Sequence, residues 1–243
     1  MSNLVICLDK NFKFAILFLI VTIFLAGCEK RIISDEEIWL ETKDNLKIRA
    51  STGYSEGEKA VILAHMLDHN RNDWKYFAKK LNTFGISTIA IDLRGHGESE
   101  GNWRKFSDAD FNNMVYDIEA AKLKLEKEGK KNIGIIGASI GANAALKYAA
   151  NDKGIKAVVL LSPGINYKGV DVSNDITDFN TPALIAVSKE DAYSFESSDI
   201  INENISGEKQ LFVGENLGHG TDMLPKSEEM QNNIITFLDN NLK

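Results

Sequence analysis

The chain has 243 residues, of which 44% are apolar and 26% charged. That suits one globular domain with a sizeable core, and a net charge of −7 denies it the basic face that nucleic-acid binding requires. Its two cysteines, Cys7 and Cys28, supply neither a disulfide framework nor a cysteine metal site.

Taken in order, the chain opens on a targeting pattern. Lys10 and Lys13 precede an apolar run from Phe14 to Ala26. That run is short for a membrane span and suits a signal-peptide core. It ends in Leu25-Ala26-Gly27-Cys28. This resembles the bacterial lipobox, which implies cleavage after residue 27 and a diacylglyceryl group on Cys28. The alternative is an ordinary signal peptide, or a short anchor helix, that contains a cysteine. Cleavage would remove two Lys and one Asp, leaving a net charge of −8. Acyl chains on one cysteine would hold the protein at a membrane outside the cytoplasm. Residues 28–37 would form a polar tether that keeps the acidic body off the anionic surface.

Residues 38–42 and 46–50 are expected as two strands around a Lys43-Asp44-Asn45 turn. Ala60 to Ala64 is a continuous apolar run, expected as a buried parallel strand. Trp74, Phe77, Ala78 and Leu81 fall at helical spacing, and Gly85 closes that helix. Ile86 to Ile91 is the next strand. Phe111, Met114, Val115, Ile118, Ala121 and Leu125 mark one long helix. Further strands are expected at 155–161, 183–187 and 210–213, with a last helix through Met230, Ile234, Phe237 and Leu238. Residues 166–180 are polar and acidic, and are expected as a connection with at most one helical turn.

The organising stretch is Lys131 to Ala150. Asn132 to Ile136 is an apolar, β-branched strand, and the alanine-rich run from Ala142 is helical. Between them stands Gly137-Ala138-Ser139-Ile140-Gly141. Strand, G-x-S-x-G, helix is the context of a nucleophile elbow. Side chains at 137 and 141 would collide with the neighbouring strand and helix. Glycine removes them and leaves Ser139 exposed at a helix N-terminus, where the dipole favours developing negative charge.

A serine nucleophile needs a base and a carboxylate that orients the base. Of four histidines, His219 lies between two glycines just after the last strand and is the best base. His65 follows a strand, and its backbone is expected to shape the loop there. His96 sits in the Gly-rich turn Asp92-Leu93-Arg94-Gly95-His96-Gly97-Glu98-Ser99 as a structural residue. His69 takes a surface loop position. The zinc pattern H-x-H-x-D-H would need histidines at 64 and 66, where Ala64 and Met66 stand, and H-E-x-x-H is absent, so no metal is expected. Glu190 and Asp191, after the 183–187 strand, are both candidates for the carboxylate.

With these residues in place, the chain resembles the α/β-hydrolase family over roughly residues 38–243. The order Ser139, acid, His219 is that family's order. The 92–99 turn and Asn216-Leu217-Gly218-His219-Gly220-Thr221-Asp222 resemble two of its loops. In the family the acid comes three residues after a Gly. Ser188 replaces that Gly, so the resemblance favours Asp191 over Glu190. It also implies an oxyanion hole from the backbone N–H groups of Met66 and Ile140, although His65-Met66 replaces the family's frequent His-Gly.

The implied fold is α/β, with about eight mostly parallel strands, helices on both faces and a minimal cap. The implied activity is serine hydrolysis of carboxylic ester or thioester bonds in a small-molecule acyl substrate, with no cofactor. Two alternatives are a peptidase on the same triad and a catalytically silent binding lipoprotein. The short 162–182 connection and its Asp residues predict an open cleft that prefers short acyl groups and disfavours acidic substrates.

Overall fold

In the computed structural model the described residues are 34–243. The targeting segment, Cys28 and the first part of the tether lie outside them. Strand β1 (Ser34–Glu41) pairs antiparallel with β2 (Lys47–Tyr54). Their turn closes through the Thr42 N–H on the Leu46 carbonyl and places Asn45 at φ 64°. β1 starts four residues before the expected Ile38, so residues 34–37, read as tether, belong to the sheet edge.

The chain then alternates. β3 (Lys59–Ala64) leads to α1 (Lys75–Thr83), and β4 (Ser87–Ile91) to α2 (Asp108–Asn112) and α3 (Met114–Lys127). The single long helix expected through Phe111 and Leu125 is thus two. A capping box of Ser107 and Asp110 starts the first, and Asn113 separates them. β5 (Asn132–Ala138) leads to α4 (Ile140–Asn151), followed by β6 (Ile155–Leu161). A two-stranded ribbon, β7 (Asn166–Tyr167) and β8 (Val170–Asp171), fills the connection expected to lack strands. β9 (Ala183–Ser188), α5 (Ala192–Asn204), β10 (Lys209–Gly214) and α6 (Glu228–Asn241) complete the order.

The eight-stranded sheet runs β1-β2-β4-β3-β5-β6-β9-β10. β2 meets β4 antiparallel, and every pair from β4 to β10 is parallel. Crossover helices cover both faces, so the central strands are apolar throughout and their alternate residues serve different cores. In β3, Ile62 joins the core under α3 and α4, while Val61 and Leu63 join the one under α1 and α6. In β6, Val158 and Leu160 face the first, and Ala157, Val159 and Leu161 the second. This rigid centre fixes the carboxyl ends of β3, β5, β9 and β10, where an open parallel sheet presents its ligand site.

Candidate active site

Ser139 ends β5 and begins α4. Its backbone sits at φ 53°, ψ −119°, a region costly for a residue with a side chain. The surroundings enforce it. The Ser139 N–H donates to the Leu161 carbonyl at 2.8 Å, and its carbonyl accepts from Ala142 and Asn143 as the helix starts. A Cβ on Gly137 would strike the backbone of Gly141 and Ala142, and one on Gly141 the carbonyls of Ala64 and His65. Both glycines are therefore needed for strand and helix to approach.

His219 follows β10, and its Nδ1 lies 2.6 Å from Asp191 Oδ2. With Nδ1–H on the carboxylate, Nε2 is left as the unprotonated nitrogen. Burial alone would raise the Asp191 pKa, but hydrogen bonds from His219, Ser194 and Ser162 hold it below the ordinary carboxylate value. Glu190, the other candidate, does something else. Its two oxygens accept the backbone N–H groups of Asn216 and Gly218, each at 2.9 Å. The Ser188 hydroxyl and these N–H groups lower its pKa to about 2, so it acts as an ionised clasp on the loop that carries His219.

Ser139, Ile140, Met66, Leu67, His219 and Tyr167 line one open cavity of about 450 Å³, together with His69, Lys168 and Asp222. Asp191 stands behind His219. The cavity thus brings together the predicted nucleophile, base and both expected oxyanion residues.

The His65 side chain, as well as its backbone, shapes the loop after β3. The ring is fully buried; Nε2 accepts the Leu93 N–H at 3.0 Å, and Nδ1 lies 2.6 Å from the Met66 carbonyl. Because Nε2 accepts, Nδ1 carries the proton and donates to that carbonyl. Burial, with His96 close by, lowers the His65 pKa to about 3, so the ring is neutral. Pinning the Met66 carbonyl turns the other end of that trans peptide, the Leu67 N–H, the opposite way. Leu67 also lines the cavity, and the sequence reading omitted it.

His96 stacks on Trp103 with ring centroids 5.5 Å apart and meets His65 edge-on. The 92–99 turn is folded around the buried Asp92 carboxylate, which accepts from Arg71 and from the Glu98 N–H. His69 pairs with Asp73 at 2.7 Å on the cavity rim. Among the described residues no group of three His, Cys, Asp or Glu side chains is placed to hold a metal.

Two further residues were not legible as site residues. Tyr167 sits at the end of β7, edge-on to His219 at 6.3 Å. Ser194, in the first turn of α5, bonds the Tyr167 hydroxyl at 2.8 Å. The sequence offered only the glycine of Lys168-Gly169; in the structure both take positive φ, the mark of a two-residue hairpin turn, and each flanking strand is only two residues long. The expected acidic rim is also corrected. Asp171 binds Ser173 and Asp175 binds Lys147, and the charged chain ends facing the cavity are Lys168 and Asp222.

Comparison with known proteins agrees with this geometry. The family model described as "Serine aminopeptidase, S33" matches residues 55–172. The AB hydrolase superfamily protein YisY of Bacillus subtilis is 29% identical over 106 residues, 43% of this chain. That match spans only 37% of the relative's length. The Pyrococcus furiosus esterase Pf2001 superposes with a TM-score of 0.70 at 22% identity, covering 86% of this chain and 93% of its own. An esterase of Exiguobacterium antarcticum gives 0.70 at 18%, covering 84% and 100%. A dienelactone hydrolase of Anabaena variabilis gives 0.71 at 18%, covering 86% and 99%. Sheet order, elbow and these likenesses together show that the chain has the α/β-hydrolase fold.

Proposed function

We propose that the protein is a serine hydrolase that cleaves carboxylic ester or thioester bonds of small acyl substrates. One observation carries this reading: His219 rests Nδ1 on Asp191 and lines the same cavity as Ser139. Ser139 Oγ attacks the substrate carbonyl as its proton passes to His219 Nε2. The oxyanion is met by the Ile140 N–H at the start of α4 and by the Met66 or Leu67 N–H; one such donor contributes on the order of 3 kcal/mol to the transition state. His219 then protonates the departing alcohol or thiol, and water repeats the sequence on the acyl-enzyme. No step needs a cofactor. Asp191 holds the imidazole in this tautomer throughout.

The match to a serine aminopeptidase model favours a second reading, in which the same triad cleaves peptides. A fluorophosphonate probe tests the shared chemistry. Wild-type protein should be labelled on Ser139. Ser139→Ala should lose labelling and about three orders of magnitude or more in turnover, with an unchanged melting curve. Retained activity in the pure variant overturns the serine mechanism. A matched panel of esters, thioesters and aminoacyl anilides then separates the two readings by kcat/KM.

We also propose that the protein is lipid-anchored through Cys28 in a bacterial cell envelope. The support is the Leu25-Ala26-Gly27-Cys28 sequence after an apolar core. Mass spectrometry of the mature N-terminus should find an acylated Cys28, and Cys28→Ser should remain unprocessed or be released. An unmodified mature N-terminus, or cleavage elsewhere, overturns the anchor.

A further inference from the structure

The Asp191 carboxylate is placed by more than His219. Asp191 caps α5, and Ser194 lies three residues on, in the first turn and fully buried. The Ser194 hydroxyl has one proton and two neighbours, Asp191 and the Tyr167 hydroxyl. A partly buried carboxylate is the stronger acceptor, so Ser194 donates to Asp191 and receives the Tyr167 O–H, 2.8 Å away. Tyr167 also lines the cavity that holds the nucleophile Ser139, and its hydroxyl lies 3.5 Å from the Ser162 carbonyl. A line of hydroxyls therefore runs from Tyr167 through Ser194 to the Asp191 end of the triad.

The ribbon that carries Tyr167 is held firmly enough to make this line a fixed device. Asn143 of α4 donates to the Val170 carbonyl at 2.8 Å and accepts the Gly164 N–H. Asn112 of α2 donates to the Gly169 carbonyl at 2.8 Å. The Tyr193 hydroxyl of α5 binds both the N–H and the carbonyl of Asn166. Gly169 cannot gain a Cβ without striking Asp108. Three helices thus anchor six residues.

We propose that Tyr167 and Ser194 are positioning residues: the Tyr167 hydroxyl commits the Ser194 proton to Asp191, and so fixes the carboxylate that aligns His219. This rests on the serine-hydrolase reading. Neither residue transfers a proton to substrate. Their effect passes through Asp191, so it must show in the protonation behaviour of the base and not only in substrate affinity. The ionisable groups facing Tyr167 and the His219 ring are Asp191, Tyr193, Lys168, His69 and Asp222. All of them stay in place in the variants below.

The test compares wild type, Tyr167→Phe, Ser194→Ala and the double variant on p-nitrophenyl acetate across pH. Tyr167→Phe keeps the ring and should lower kcat about fivefold, the scale of one hydrogen bond, with KM within about twofold. The acid limb of kcat/KM should move to higher pH, because a carboxylate with fewer donors leaves more negative charge facing the imidazole. Ser194→Ala should move both quantities further in the same direction. The double variant should be no worse than Ser194→Ala alone, since Tyr167 acts through Ser194. A Tyr167→Phe profile that overlays wild type overturns the proposal. So does a change in KM alone, which would make Tyr167 a wall of the substrate cleft, and so do losses that add in the double variant. Wild-type protein inert to both ester and fluorophosphonate would instead remove the serine-hydrolase reading, and this proposal with it.

Discussion

At position 139 the chain adopts a conformation that serine disfavours, and two glycines and a neighbouring strand hold it there. The same local logic separates the adjacent acids Glu190 and Asp191. Both stood as candidates after the same strand, and the resemblance favoured Asp191. The structure splits them by direction: Asp191 turns to the His219 ring, while Glu190 grips the backbone beneath it. Asp191→Asn should therefore cost about 10³-fold or more in kcat, because an amide no longer selects the productive imidazole tautomer. Glu190→Gln keeps a carbonyl for one backbone donor and should cost less than about tenfold. Steady-state kinetics on one ester decides it, and equal losses would mean that the acid has been assigned to the wrong residue.

Elements were legible where burial follows hydropathy, and hidden where it does not. β3, β5 and β6 are unbroken apolar runs and emerge nearly as expected. α5 was missed because its buried stripe, Ser194, Ser197, Ser198 and Ile201, has helical spacing but is mostly serine. The β7–β8 ribbon was missed because its stability comes from side chains of three helices and not from its own sequence. It also carries Tyr167, so the missed element and the missed site residue are one omission. The resemblance implied Met66 as an oxyanion residue; attention falls on the neighbouring Leu67 only through the ring of His65. The ribbon is the only secondary structure among the described residues between β6 and β9, so no helical cap covers Ser139. A long acyl chain finds its walls limited to Met66, Leu67, Ile140 and Tyr167, and each CH₂ left in water forfeits about 0.8 kcal/mol. Turnover of p-nitrophenyl esters should peak at short acyl groups and fall with length, without activation at a lipid interface. A profile rising from acetate to palmitate would refute this.

For the molecule as a whole, the buried histidines set how stability depends on acid. Unfolded, His65 takes up a proton below about pH 6.5; folded, burial keeps it neutral down to about 3. Between those values the unfolded chain binds more protons, so stability falls as pH falls, by at most about 1.4 kcal/mol per unit for one group. His96, also lowered by burial, acts in the same sense. Asp117 opposes them. Burial raises it to about 6 despite its pairing with Arg94, so between about 3.8 and 6 the folded form holds a proton that the unfolded chain has lost. Two groups against one leave a net loss. Urea midpoints at constant ionic strength should be highest above pH 6.5 and decline towards pH 4. A midpoint that is flat or rises on acidification contradicts a neutral His65.

The strand order has a consequence for the chain as it is made. Ser139 leaves a central strand, β5, but Asp191 and His219 leave β9 and β10, the last two strands at one edge. Ribosomes deliver the nucleophile and its elbow some 50 residues before the acid and 80 before the base. A nascent chain therefore carries the serine before the base assigned to it. Only when the final strand docks beside β9 does His219 come within reach. On the proposed mechanism the enzyme cannot turn over acyl groups during synthesis, and premature termination anywhere before the last loop yields a silent polypeptide. On that mechanism the triad is complete only once β10 and the loop after it are in place.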